Sequence, residues 1–317
     1  MTKRTKVFFR ILDFSLLAVF HSTRLLSRLL PPPLLYPVVG STGRVVFRLH
    51  PSMREHLLEN LRVALPGVTD RHELEKIGKQ ACGAPFLLAL QMFIFEKYGE
   101  RIMRDLRIEG MEHLERADAE GKGVILITAH LGAVPMVLAI LSRLGKPFTP
   151  LAMHPSDTTI PHFMMNLIIF AQILGCDREQ PVIWTKRDDT RSKVREHLGK
   201  GGRVGITFDI GGSTVIDFLG RPTGLASGIA HFALDTGAPI VPGHILRGKR
   251  PLEIHAKLYE PLAFEPSGDR AADVKKIMAA VGEVGEAMIR EAPGQWIGWF
   301  GLRQWRKMAE EKGEPEG

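Results

Sequence analysis

The stretch "LITAHLGAVP", residues 126–135, delivers His130 directly after an apolar, partly β-branched run. A buried strand that ends on an imidazole suits general base chemistry. In open α/β sheets ligands collect where a strand ends and the next helix begins, and backbone N–H groups there favour a developing negative charge. At such a place His130 can take the proton of a hydroxyl substrate. Gly132, two residues on, would let a substrate come close to the backbone. The same histidine is also compatible with a purely structural role.

Two further segments carry polar residues in promising surroundings. "FDIGGSTVIDFLGRPTGLASG" (208–228) puts Asp209 at the end of a second strand, before a glycine-rich turn. Asp209 can orient His130, hold a polar substrate, or simply cap a turn. Arg221, between Gly220 and Pro222, can grip a phosphate through its planar fork or make a surface ion pair. "GQWIGWFGLRQW" (294–305) holds three of the four tryptophans, with Arg303 and Arg306 close by. It suits a cover over a lipid groove, a membrane interface or a satellite core.

Other chemistries find no support. No G-x-S-x-G elbow occurs, and "GKGVIL" and "GKGGRVG" fall short of a dinucleotide-binding G-x-G-x-x-G. No His/Cys/acid cluster has metal-ligand spacing, so no metal is expected. Cys82 and Cys176 are too few and too isolated for a disulfide framework and fit a reducing, cytosol-facing location.

The elements that must position these residues follow from periodicity. Helical spacing is expected at 52–67, across 69–99 after the capping-type Thr69/Asp70, and at 161–175, 188–202, 224–237 and 270–293. Strands are expected at 123–129, 147–153, "PVIW", 203–209, "APIVPGHIL" and "LEIHAKLYEPL". Strands separated by helices predict an α/β fold with a mixed, mostly parallel sheet flanked by helices.

The charge is lopsided. Residues 1–54 hold nine Lys/Arg and one acid, Asp13, leaving 33 basic and 34 acidic residues for the rest of the chain. The basic positions punctuate "VFFRILDFSLLAVFHSTRLLSRLL", whose phenylalanines and leucines recur at helical spacing. Charges interrupt the run too often for a span of about 20 apolar residues, and no small-residue cleavage site follows. A basic amphipathic helix in the interface of an anionic membrane fits, its arginines at headgroups; a core helix with solvated arginines is the alternative. The density of leucine and phenylalanine argues for lipid over nucleic acid. "PPPLLYP" (31–37) is expected to end this helix. The organisation is thus a basic amphipathic membrane-anchoring segment at 1–50, an α/β domain at 51–308 and a charged tail at 309–317.

Taken in order, "ENLRVALPG", "VILITAHLGA", "GITFDIGG…DFLGRPTGLASGIAHFALDTGAPIVP" and "GQWIGWF…RQW" resemble the lipid A biosynthesis acyltransferase family, over roughly residues 55–306. The resemblance implies a bacterial inner-membrane enzyme acting on the cytoplasmic face. It would move a fatty acyl chain from an acyl-carrier-protein or coenzyme A thioester to a hydroxyl of a glycolipid or lysolipid, with no bound cofactor. In the family motif a histidine is followed, after four residues, by an aspartate or glutamate; the histidine acts as base and the acid orients it. His130 matches the histidine, but the acid position holds Pro135. Gly220, Arg221 and Pro222 match a substrate-contact block, and Ala238–Pro242 another. Three outcomes are open: Asp209 or another acid replaces the missing carboxylate, His130 works unpaired, or the chain keeps the lipid groove without the chemistry.

Overall fold

The computed structural model describes residues 3–175, 177 and 179–313. Cys176 and the last four residues of the charged tail, 314–317, lie outside them.

Helix α1 (Lys3–Leu29) is followed by α2 (Pro32–Leu49), α3 (Pro51–Ala64) and α4 (Arg71–Asp105). The proline run therefore ends one helix and begins another. Pro32 sits in the first turn of α2, where its missing N–H has no intrahelical partner to lose. Leu35 and Phe47 of α2 are buried against the body of the protein. Asp70 caps α4, accepting the His72 N–H at 3.1 Å. Among the described residues α4 is the helix long and apolar enough to cross a membrane, yet 56% of its apolar window is buried inside the protein. Its Leu90 and Met92–Phe95 are core residues.

Next come β1 (Arg107–Glu109), α5 (Met111–Ala119), β2 (Val124–Thr128), α6 (Met136–Arg143), β3 (Thr149–Ala152), α7 (Pro161–Leu174), β4 (Ile183–Trp184), α8 (Thr190–Gly199) and β5 (Arg203–Thr207). The hairpin β6 (Gly211–Phe218)–β7 (Arg221–Leu225) precedes α9 (Gly228–Thr236), β8 (Ile240–Arg247), β9 (Ile254–Leu258), α10 (Arg270–Glu291) and α11 (Leu302–Gly313). Seven strands form one sheet in the order β1-β9-β8-β2-β5-β3-β4, parallel except for the β8–β9 pair.

Helices cover both faces, as a mostly parallel sheet requires. Along β2, Ile125 and Ile127 enter the core that includes Phe208, Ile229 and Met278. Val124 and Leu126 face the opposite way, against Leu138 and Leu141 of α6. This two-residue alternation sets which strand-end residues point to which side.

Three departures from the sequence reading have physical causes. Residues 211–225 form a hairpin, so α9 begins at Gly228 rather than near 224. The short β1 and α5 carry too few residues for a periodic signal. The tryptophan segment belongs to the main core and is neither a surface cover nor a satellite, with Trp296 fully buried and Trp299 nearly so.

Candidate active site

The central strands β2 and β5 are parallel neighbours, with Thr128 opposite Thr207 in the register. His130 follows Thr128 by two residues and Asp209 follows Thr207 by two. Equal offsets from paired positions deliver the two side chains to the same edge of the sheet. The His130 Nδ1 lies 2.9 Å from Asp209 Oδ1, and the His130 backbone N–H donates to Asp209 Oδ2 at 2.8 Å. The indole N–H of Trp296 donates to that second oxygen, also at 2.8 Å. Since a carboxylate only accepts, Nδ1 carries the proton, and in the neutral imidazole Nε2 keeps its lone pair.

The Asp209 side chain is fully shielded, whereas His130 retains 35% side-chain exposure. Desolvation pulls the histidine pKa down, but the charge of Asp209 and its hydrogen bond outweigh that pull. The net result lies above the ordinary histidine value.

The loop after His130 is stitched to the C-terminal segment. Ile297 N–H donates to the His130 carbonyl at 3.1 Å, and Gly132 N–H to the Gln295 carbonyl at 3.1 Å. Arg247, at the end of β8, donates through Nη1 to the Gly132 carbonyl at 2.8 Å, and burial lowers its pKa to about 10.

Gly132 is needed for a reason other than substrate approach. Its φ is +64°, and an added Cβ would lie 2.0 Å from the Ile245 carbonyl oxygen, so the close neighbour is the β8 backbone. Gly132→Ala is expected to cost about 2–4 kcal/mol, combining left-handed strain with overpacking. Urea unfolding of the purified variant measures it, and an unchanged midpoint would contradict this packing account.

Pro135 occupies the residue before α6, with φ −64° and no N–H to satisfy, a conformation proline favours. The carboxylate that meets His130 comes from just beyond the neighbouring strand β5, 79 residues away in sequence.

His130 opens onto a cavity of about 310 Å³ with an almost wholly apolar wall, built largely from α4, α6, α7 and the sheet. Thr128 and Thr207 line it together with His130, and Leu138, Phe148, Ile168 and Ala171 contribute apolar surface. Gly220, Arg221 and Pro222 are not on this wall. Leu219 and Gly220, both at positive φ, make the two-residue turn between β6 and β7, as a type I′ hairpin requires. Arg221 pairs with Glu59 at 2.9 Å and is well exposed. Among the described residues no group of three or more His, Cys, Asp or Glu side chains is placed to hold a metal ion.

A sequence profile of bacterial lipid A biosynthesis acyltransferases matches residues 5–167 and 188–307. The chain belongs to that family. It is also similar to a lipid A biosynthesis acyltransferase of Haemophilus influenzae, 24% identical over 310 residues, covering 94% of this chain and 87% of the relative. Family membership indicates an acyltransferase, with an acyl donor and a lipid acceptor as substrates. In this lipid A biosynthesis acyltransferase family member, Trp296 is the site residue that sequence reasoning missed. Its segment read as generically aromatic, and nothing local points to Asp209.

Proposed function

We propose that the protein transfers a fatty acyl chain from an acyl-carrier-protein or coenzyme A thioester to a hydroxyl of a glycolipid or lysolipid, with His130 as general base. The observation that carries this reading is the Asp209–His130 pair, with His130 on the wall of an apolar cavity. Asp209 fixes the imidazole so that Nε2 faces the acceptor. Nε2 takes the hydroxyl proton while the oxygen attacks the thioester carbonyl. As the tetrahedral adduct collapses, the C–S bond breaks and the imidazolium returns the proton to the departing thiolate sulfur. The products are an ester and a free thiol. The fatty chain fits the cavity wall, each buried methylene contributing about 0.8 kcal/mol.

Membrane association is supported by an inverted helix. The inward positions of α1 include Asp13, Phe20 and Ser27, while Phe8, Ile11, Leu25 and Leu29 are 58–69% exposed. Outward leucine and phenylalanine are favourable against lipid and unfavourable in water. Arg24 and Arg28 do not reach out to headgroups; both bind Glu96 of α4 and hold α1 in place. Exposed Arg10, on α1 just before Asp13, is left to face an anionic leaflet. We assign 1–50 to docking, 51–308 to catalysis, and the whole to the cytoplasmic face of a bacterial inner membrane, where thioester donors are made. The alternative of an impaired relative rested on the missing motif acid, and Asp209 supplies a carboxylate in its place.

The test uses the purified full-length protein in mixed micelles, a labelled acyl thioester and a panel of glycolipid and lysolipid acceptors. Labelled ester is expected, and its absence across the panel would overturn the proposal. The rate should climb with pH along an acidic limb centred above 6.5, the ordinary histidine value, because only neutral imidazole is a base and its pKa is raised.

A further inference from the structure

Helix α7 has no Asp, Glu, Lys or Arg in its 14 residues, and its two faces do different things. Leu167, Ile168, Ala171 and Gln172 line the cavity. On the outer side Met165, Ile169 and Ile173, one helical stripe, are 39%, 47% and 65% exposed. An exposed apolar stripe of this kind is unfavourable in water and favourable against protein or lipid. Among the described residues no protein element covers this stripe.

The stripe continues onto α1. The Phe14 ring stacks on that of His162 at 5.2 Å, and Phe20 meets Phe163 and Phe170 edge-on at 6.1 Å. Asp13 accepts the backbone N–H groups of His162 and Phe163 at 3.1 and 2.9 Å, together with His162 Nδ1 at 2.8 Å. The one acid of the first 54 residues is thereby spent on the start of α7, while Arg10 nearby on α1 stays exposed. An apolar face with a basic border complements an anionic leaflet.

We propose that α7 is immersed in the lipid leaflet beside α1, so that the outer wall of the acyl cavity is bounded by the bilayer and fatty chains reach it sideways without crossing water. This extends the membrane reading of α1 and rests on it.

The experiment places an environment-sensitive nitrobenzoxadiazole label on full-length protein in which Cys82 and Cys176 are replaced by alanine. Labels go on Ile11→Cys in α1, on Ile169→Cys and Ile173→Cys in α7, and on Lys200→Cys as a distal control. Vesicles of phosphatidylethanolamine with phosphatidylglycerol are added. The α1 and α7 labels should shift to the blue, resist aqueous iodide and be quenched by brominated acyl chains, while Lys200→Cys does none of these. If the Ile11 label enters lipid and both α7 labels stay in water, the inference fails and the reading of α1 stands; if the Ile11 label also stays in water, both fail. As a functional check, the double variant Ile169→Asp/Ile173→Asp should lose transfer to vesicle-borne acceptor by on the order of tenfold and keep its turnover in detergent micelles. Equal rates for variant and wild type on vesicles would overturn sideways entry.

Discussion

Replacing His130 with alanine is expected to lower kcat by about four orders of magnitude or more, with KM for the thioester little changed. The acceptor hydroxyl has a pKa far above neutrality, so its proton must leave as the oxygen attacks. His130 lines the cavity and its Nδ1 is held by Asp209, which leaves Nε2 as the ring nitrogen available to an acceptor. His244, another imidazole along the cavity, cannot substitute, because its Nδ1 lies 3.3 Å from the Tyr259 hydroxyl and its Nε2 faces Glu291 at 3.5 Å. The apolar walls that would hold a fatty chain are left intact by the substitution, so the loss should fall on the chemical step. Initial rates with labelled thioester measure it, and circular dichroism checks that the variant is folded. Wild-type rates from a folded His130→Ala protein would remove the base assignment.

Asp209→Asn is expected to fall nearly as far, by about four orders of magnitude at neutral pH, by analogy with serine-protease triads. The environment of the carboxylate gives the reason. Asp209 Oδ2 accepts two N–H donors, from the His130 backbone and from Trp296. In an asparagine those donors demand the amide oxygen at that position. Its NH₂ group then points at His130 Nδ1, which must accept, and the ring proton moves to Nε2. The atom that should be the base becomes a donor. The residual activity should also titrate differently. Removing Asp209 takes away the charge and hydrogen bond that raise the His130 pKa and leaves desolvation, so the acidic limb moves down toward or below 6.5. A variant with an unmoved limb and a wild-type maximum would show that Asp209 is only structural.

The strands that carry the site were legible because they are short apolar runs closed by polar residues. The two that matter share a pattern, "ITAH" and "ITFD", in which isoleucine and threonine lead to the functional residue at the same offset. Parallel pairing turns that likeness into contact. The sequence could not reveal the register, so Asp209 stood among several possible replacements for the acid missing at Pro135. Trp296 was illegible for a different reason: its bond to Asp209 spans 87 residues and leaves no local trace. The "GRP" block lies in a turn away from the wall of this cavity. A positive φ at Leu219 and Gly220 makes it a hairpin end, and no local pattern told that apart from a ligand loop. The prolines at 31–37 were read as a stop and proved also to be a start, because proline is tolerated in the first turn of a helix.

The backbone ladder between residues 130–132 and 295–297 has a consequence for biosynthesis. Chains leave the ribosome from the N-terminus, and domains fold as they emerge. The sheet strands, ending at Leu258, are synthesised well before Gln295 and Ile297 can close that ladder. Until those residues are made, the loop after His130 lacks its partner and Asp209 lacks the Trp296 indole that donates to it. A chain stopped just upstream of Gln295 would contain every strand of the sheet and lose both fastenings of the His130–Asp209 pair.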